Sequence, residues 1–174
     1  FSQTENTYFA GRGFTENFLV TPMMADILAM SMLYGLSTTT RVGDTTYSFS
    51  AGSGAQTIFD SGGTDWFYAT GSSPQLIDLN SGTFSNIDGE TGNVSIALGV
   101  VIENALGGGY DDVLIGNSVD NILDGSGAND TLRGNAGDDT LVGGRGDNTL
   151  NGGDGIDTVD YISVSGPIFV NLSL

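Results

Sequence analysis

The sequence predicts a mainly β protein: a two-walled parallel solenoid, preceded by short β-strands and one N-terminal helix. Three observations predict it. Residues 107–160 divide into six consecutive nine-residue phrases without an insertion: GGGYDDVLI, GNSVDNILD, GSGANDTLR, GNAGDDTLV, GGRGDNTLN and GGDGIDTVD. Each phrase opens on Gly, places Asp or Asn sixth, and sets Leu or Val eighth. Upstream, helical spacing is confined to residues 21–35, and short β-prone runs separated by Gly, Asp, Ser and Asn follow it.

The helix comes first in the chain. TPMMADILAMSMLYG carries a cap at Thr21, a proline suited to the first helical position at Pro22, and a glycine stop at Gly35. Met23, Ile27, Met30 and Tyr34 fall on one stripe, with Met24 and Leu28 beside them. This reads as a packing helix, with a methionine-rich partner groove as the alternative. The runs TTYSF (45–49), QLIDLN (75–80) and NVSIAL (93–98) read as short strands joined by turns. The chain thus divides into residues 1–40 with the helix, a strand-rich entry over 41–106, the array over 107–160, and a closing strand or link over 161–174.

Strand geometry assigns the array's side chains. Successive residues alternate faces, so the eighth positions (Leu114, Leu123, Leu132, Leu141, Leu150 and Val159) point inward. Thr131, Thr140, Thr149 and Thr158, at the seventh, face solvent. One repeat makes a turn and a strand, and two repeats make one coil of 18 residues. Stacked coils then give two parallel sheets around a thin aliphatic core, a parallel β-roll. Val113 and Ile122, apolar where later repeats have Thr, mark where the roll joins the preceding strands.

That core is too thin to order the array alone. A buried Leu contributes roughly 1.5–3 kcal/mol, whereas each ordered residue costs about 1–2 kcal/mol of backbone entropy. Eleven Asp in the same stretch add mutual repulsion. Over the whole chain, 21 Asp and Glu face four Arg and no Lys, for a net charge of −17. Such a surface argues against nucleic acid and anionic membranes as partners and favours cations. No apolar run is long enough to span a bilayer. With no His and no Cys, the chain has no disulfide, no His-containing zinc site and no Ser-His-Asp triad.

Calcium fits the spacing. Strands lie about 4.7–4.9 Å apart and calcium–oxygen distances are about 2.3–2.6 Å, so an ion between two coils reaches oxygens of both. Sixth positions two repeats apart pair as Asp112 with Asp130, Asn121 with Asp139, Asp130 with Asn148, and Asp139 with Asp157. The two all-Asp pairs are expected to bind more tightly than the two with one Asn. Turn carbonyls at Gly108, Tyr110, Gly125, Gly127, Gly134, Ala136, Gly143 and Gly152 complete the hard-oxygen shell. At an affinity near 10⁻⁴ M and millimolar calcium, each site adds about 1–3 kcal/mol to folding. The array is then unfolded at cytosolic calcium and folds outside the cell. A flexible linker has no reason to hold this register. An EF-hand at Asp124 fails because its twelfth position is Asn135 and no helices flank it.

The nonapeptide is similar to the calcium-binding repeat of RTX proteins. Beyond it, ADILAMSMLYG, TTTRVGDTTYSF, FDSGGTDWF and LNSGTFSNIDGETGNVSIALGVVIENALGG resemble the C-terminal portion of serralysin-type secreted zinc metalloproteases (peptidase family M10), over about residues 20–160. The resemblance implies a calcium site joining Arg41, Gly43 and Thr45 to Asp60, Gly62 and Asp65. It implies a second at Gly63, Asp65, Val101 and Glu103. It also implies bacterial secretion by a type I apparatus, a parent protease domain in cis, and Zn²⁺ only in a catalytic portion outside these residues. The opening FSQTENTYF resembles sequence following that family's Met-turn, so the chain reads as a processed product or fragment. The family's secretion signal is not evident in YISVSGPIFVNLSL. In the first and third repeats Tyr110 and Ala128 replace the usual fourth-position Gly.

The leading expectation is a non-catalytic calcium-binding β-roll that folds after export and stabilises its parent protease. The alternative is a calcium-dependent adhesive or carbohydrate-binding module using the threonine face. A hydrolase dyad such as Asp138 and Asp139 lacks a pocket to raise either pKa.

Overall fold

The computed structural model describes residues 24–34, 37–161 and 164. Helix α1 (Met24–Tyr34) occupies the predicted helical stretch. Its expected cap and stop residues, Thr21, Pro22 and Gly35, lie outside the described residues, as does most of 161–174. Ile27 is half-buried against the core, while Met32 and Leu33 on the same helix are exposed. Among the described residues, no helix is long and apolar enough to cross a membrane.

Among the described residues thirteen strands follow: β1 (Thr46–Phe49), β2 (Gln56–Ile58), β3 (Trp66–Ala69), β4 (Leu76–Asp78), β5 (Phe84–Ser85), β6 (Val94–Ile96), β7 (Asn104–Gly108), β8 (Val113–Ile115), β9 (Ile122–Ser126), β10 (Thr131–Ala136), β11 (Thr140–Val142), β12 (Thr149–Asp154) and β13 (Thr158–Asp160). The runs read as strands at 45–49, 75–80 and 93–98 correspond to β1, β4 and β6. One wall of the solenoid is a parallel sheet in the order β1-β3-β7-β9-β11-β13, and the other runs β12-β10-β8-β4. A small third sheet, β2-β6-β5, carries an antiparallel pair between β5 and β6.

The register is the one the nine-residue period dictates. Leu132 pairs with Leu114 and Leu150, and Leu141 with Leu123 and Val159, each 18 residues away. Both walls run past the array into earlier strands. Val113 of β8 pairs with Leu76 of β4, and Ile122 of β9 with Asn104 of β7. The two apolar seventh positions thus sit where the array meets what precedes it.

Inward rows fill the space between the walls. Phe67, Ala105, Leu123 and Leu141 line one, Ile77, Leu114 and Leu132 the other, and all are fully buried. Leu150 is only partly buried and Val159 is 37% exposed, so the aliphatic row thins at the last coil. Most of the buried apolar residues lie before residue 107, from Phe49 to Ala105. The array's own fully buried contribution is Leu114, Leu123, Leu132 and Leu141.

Candidate metal centre: two columns along the edges of the roll

Each wall strand is preceded by one residue that stacks on its counterparts. Along the six-stranded wall these are Thr45, Asp65, Glu103, Asn121, Asp139 and Asp157; along the four-stranded wall they are Gln75, Asp112, Asp130 and Asn148. The parallel register forces this alignment, because strands that start in step bring their preceding residues into step. The four sixth-position pairs expected from sequence are all neighbours.

The columns are laced by one repeated bond. A backbone N–H donates to the side-chain oxygen of the next coil: Thr45 to Asp65 Oδ1 (2.8 Å), Asp65 to Glu103 Oε2 (2.7 Å), Asn121 to Asp139 Oδ1 (2.7 Å) and Asp139 to Asp157 Oδ1 (3.1 Å). On the other edge Gln75 donates to Asp112 Oδ1 (2.7 Å), Asp112 to Asp130 Oδ1 (2.9 Å) and Asp130 to Asn148 Oδ1 (2.8 Å). Between Glu103 and Asn121 the contact reverses, and Asn121 Nδ2 donates to the Glu103 carbonyl at 2.7 Å.

The second carboxylate oxygen decides what the columns can do. Oδ2 of Asp65, Asp112, Asp130 and Asp139 is buried without a hydrogen-bond donor, and these side chains are at most 1% exposed. A buried carboxylate oxygen left unpaired costs several kcal/mol unless it is protonated or meets a cation. Burial pushes Asp65 and Asp112 up to about 6 and Asp130 up to about 7. The amide each accepts works against that rise, and neighbouring acids add to it: Asp60, Glu103 and Asp44 around Asp65, Asp111 beside Asp112, and Asp112, Asp111 and Asp124 around Asp130. Asp139, read from sequence as lying in a turn with no pocket to raise it, is instead buried and raised for the same reasons, burial first, with Asp157, Asp120 and Asp138 nearby.

The opening glycine of each repeat makes room for this oxygen. A Cβ on Gly125, Gly134 or Gly152 would collide with Oδ2 of Asp130, Asp139 or Asp157 in its own turn, and one on Gly143 would meet the Asn148 amide. At the fourth position Gly146 has φ 119°, and a Cβ there would overlap the carbonyl of Ala128 one coil back. Gly127 donates its N–H to the Gly108 carbonyl at 3.0 Å, joining the first and third turns, and Ala136 donates to Asn117 at 3.3 Å. Tyr110 is 44% exposed at the first turn.

The upstream positions implied by resemblance also converge. A Cβ on Gly63 would strike the backbone of Gly43 (2.6 Å), so those two turns are in contact. Thr45 Oγ1 donates to the Gly43 carbonyl (2.9 Å), and Asp60 Oδ1 accepts the Gly62 N–H (2.9 Å). Asp60 Oδ2 accepts from Tyr47 Oη (2.5 Å), which in turn accepts from Arg41, whose guanidinium lies 5.2 Å from the Tyr47 ring centre. Burial and the Asp60 bond push Tyr47 up to about 12. Val101 is exposed, two residues before Glu103.

Among the described residues no three acidic side chains gather as a metal cluster. A bound ion would therefore draw most of its ligands from turn carbonyls, with one or two carboxylates. Orphaned, buried, anionic oxygens beside glycine turns are the donor set of a hard cation.

Several residues that build these edges carried no sequence signal. Gln75 heads one column, its amide holding the Asp88 N–H (2.7 Å). A second lacing runs the opposite way at the fifth repeat position. Asn129 N–H donates to Asp111 Oδ1, Asp147 to Asn129 Oδ1, Asp138 to Asp120 Oδ1 and Ile156 to Asp138 Oδ1, all at 2.8–2.9 Å. Thr64 donates to Asp44 in the same manner (2.9 Å). Position-by-position comparison of the repeats gives the spacing of this second lacing but not its direction.

Fold and edges together define a parallel β-solenoid with acid-lined turns. The chain belongs to the Peptidase M10 serralysin C-terminal family, whose model matches residues 31–169. It is 44% identical to Serralysin B of Dickeya chrysanthemi over 127 residues, covering 65% of this chain and 26% of that protein. It is 41% identical to Serralysin of Proteus mirabilis over 123 residues, 63% of this chain and 25% of that protein. It is 37% identical to Metallopeptidase AprA of Pseudomonas marginalis over 129 residues, 66% of this chain and 27% of that protein. The chain thus spans about a quarter of the length of these relatives.

Proposed function

We propose that this chain is the calcium-binding, non-catalytic portion of a secreted bacterial serralysin-like metalloprotease, folding on calcium after type I export and stabilising its protease domain. The four buried Asp oxygens without donors carry the reading. Oxygens of Asp65, Asp112, Asp130 and Asp139 would hold ions, completed by carbonyls of the Gly-rich turns. Bound calcium supplies positive charge between coils where the chain has none of its own. Asn148, Asp157 and Glu103 fill out the same edges, Asp60 would serve the upstream turn, and Zn²⁺ is confined to the parent's catalytic portion. The membership and the relatives' names support the protease context.

Hydrogen exchange on the 174-residue chain tests the calcium role. Amides of 122–160 are expected to be protected in millimolar calcium and to exchange freely in chelator, while equal protection in both would overturn it. Sequence upstream of Phe1 in the parent gene tests the context: an HE-x-x-H-x-x-G-x-x-H motif is expected, and a repeat-rich or lectin-like neighbour would favour an adhesive module instead.

A further inference from the structure

The second repeat differs from the others in how its turn is closed. Asn117 and Asn121 are 9% and 1% exposed. Asn121 Oδ1 accepts the Asn117 N–H at 2.8 Å, and Asn121 Nδ2 donates to the Glu103 carbonyl (2.7 Å) and to Asn117 Oδ1 (3.2 Å). Asn117 Nδ2 donates to the carbonyls of Ile102 (2.8 Å) and Leu79 (3.2 Å), and its Oδ1 also accepts the Val119 N–H (3.1 Å). Every polar atom of both amides is therefore partnered, and the partners fix which end of Asn121 is nitrogen.

We infer that the turn of the second repeat, residues 116–121, is closed by these two asparagine side chains in place of a metal ion. At Asp112, Asp130 and Asp139 the sixth-position side chain, and at Asp65 its counterpart upstream of the array, leaves one buried oxygen without a donor. At Asn121 the atom in that place, beside the opening Gly116, is Oδ1, which already accepts the Asn117 N–H, and Nδ2 fills the Glu103 carbonyl of the preceding coil. A donor repels a cation, and it occupies the oxygen a cation would use. Asn121, assigned as a ligand from its place in the period, is a plug.

The plug sits at a junction. Leu79 directly follows β4 of one wall, and Ile102 lies just before β7 of the other. Asn117 thus ties the first rungs of the array to both walls, next to the part of the molecule that holds most of the apolar core. The ion-dependent coils beyond it would grow on a rung that is already formed.

The inference rests on the calcium reading for its contrast, and the experiment separates the two. Asn121→Asp and Asn148→Asp are made in the 174-residue chain, and calcium is titrated while far-UV circular dichroism is followed. If Asn121 is a plug, Asn121→Asp raises the calcium midpoint severalfold and lowers Tm even at saturating calcium, because the new carboxylate faces carbonyl oxygens. Asn148, whose Oδ1 holds the Asp130 amide, gains a free carboxylate oxygen in Asn148→Asp, and the midpoint falls. A lowered midpoint in Asn121→Asp overturns the inference. Should that variant not fold, native mass spectrometry of Asn121→Ala decides: an unchanged calcium count supports the plug, and a count one lower than wild type refutes it. A wild-type chain indifferent to calcium would instead sink the calcium reading, leaving the loss of Tm in Asn121→Asp as the measure of the plug.

Discussion

Asp130 has one oxygen tied to the amide of Asp112 and the other buried without a donor, and Asp139 repeats the arrangement against Asn121. Removing such a side chain removes both the lacing bond and the ligand. Asp139→Ala is expected to raise the calcium midpoint of folding by much more than Asp147→Ala, measured by circular dichroism. Asp147 is exposed at the fifth position and contributes its backbone N–H to Asn129, a bond that survives the substitution. Equal shifts would show that the ligand register is misassigned. Ala128 offers a test of strain: it holds φ 80° at a position where later repeats have glycine. Ala128→Gly relieves left-handed strain of about 1–2 kcal/mol against a smaller entropic loss. The expected result is a net gain of about 0.5–1 kcal/mol in denaturant melts, and a loss would mean the turn relaxes away from that conformation.

At the scale of the element, each of β8 to β11 buries one leucine, and the stack makes that leucine expensive to lose. Leu132 is fully buried between Leu114 and Leu150. Leu132→Ala is expected to cost about 2–5 kcal/mol, whereas Val159→Ala, at a 37% exposed position in the last strand, should cost under about 1 kcal/mol. Equilibrium unfolding in saturating calcium measures both. The strands and their register were legible in the sequence because a strict nine-residue period with one aliphatic phase leaves the chain a single way to stack. The sixth-position pairs followed from the same arithmetic. The Asn117–Asn121 plug was not legible, because period alone cannot say whether an asparagine presents its oxygen or its nitrogen to a neighbour. Gln75 was hidden for a related reason: it belongs to the acid column through a wall strand outside the repeats, where no period marks it.

For the whole molecule, a net charge of −17 and buried acids act in the same direction. Asp65, Asp112 and Asp130 hold protons at about 6, 6 and 7 when folded, against an ordinary carboxyl value of 3.8. The folded chain therefore binds more protons than the unfolded one above about pH 4. Without metal, the stability from these groups is fully present below that pH and is lost as pH rises through 6 and 7. Thermal melts in chelator are expected to show a higher Tm at pH 5 than at pH 8, and the reverse order would contradict the burial of these acids. Calcium competes with those protons, so its midpoint should rise as pH falls from 8 to 5.

The central claim is that a divalent cation joins successive coils of the array. Far-UV circular dichroism of the 174-residue chain at pH 8 and moderate temperature, with calcium titrated into chelated protein, tests it most directly. A cooperative gain of β signal within the millimolar range is the predicted result. A full β spectrum in chelator, unchanged by added calcium, would contradict the account.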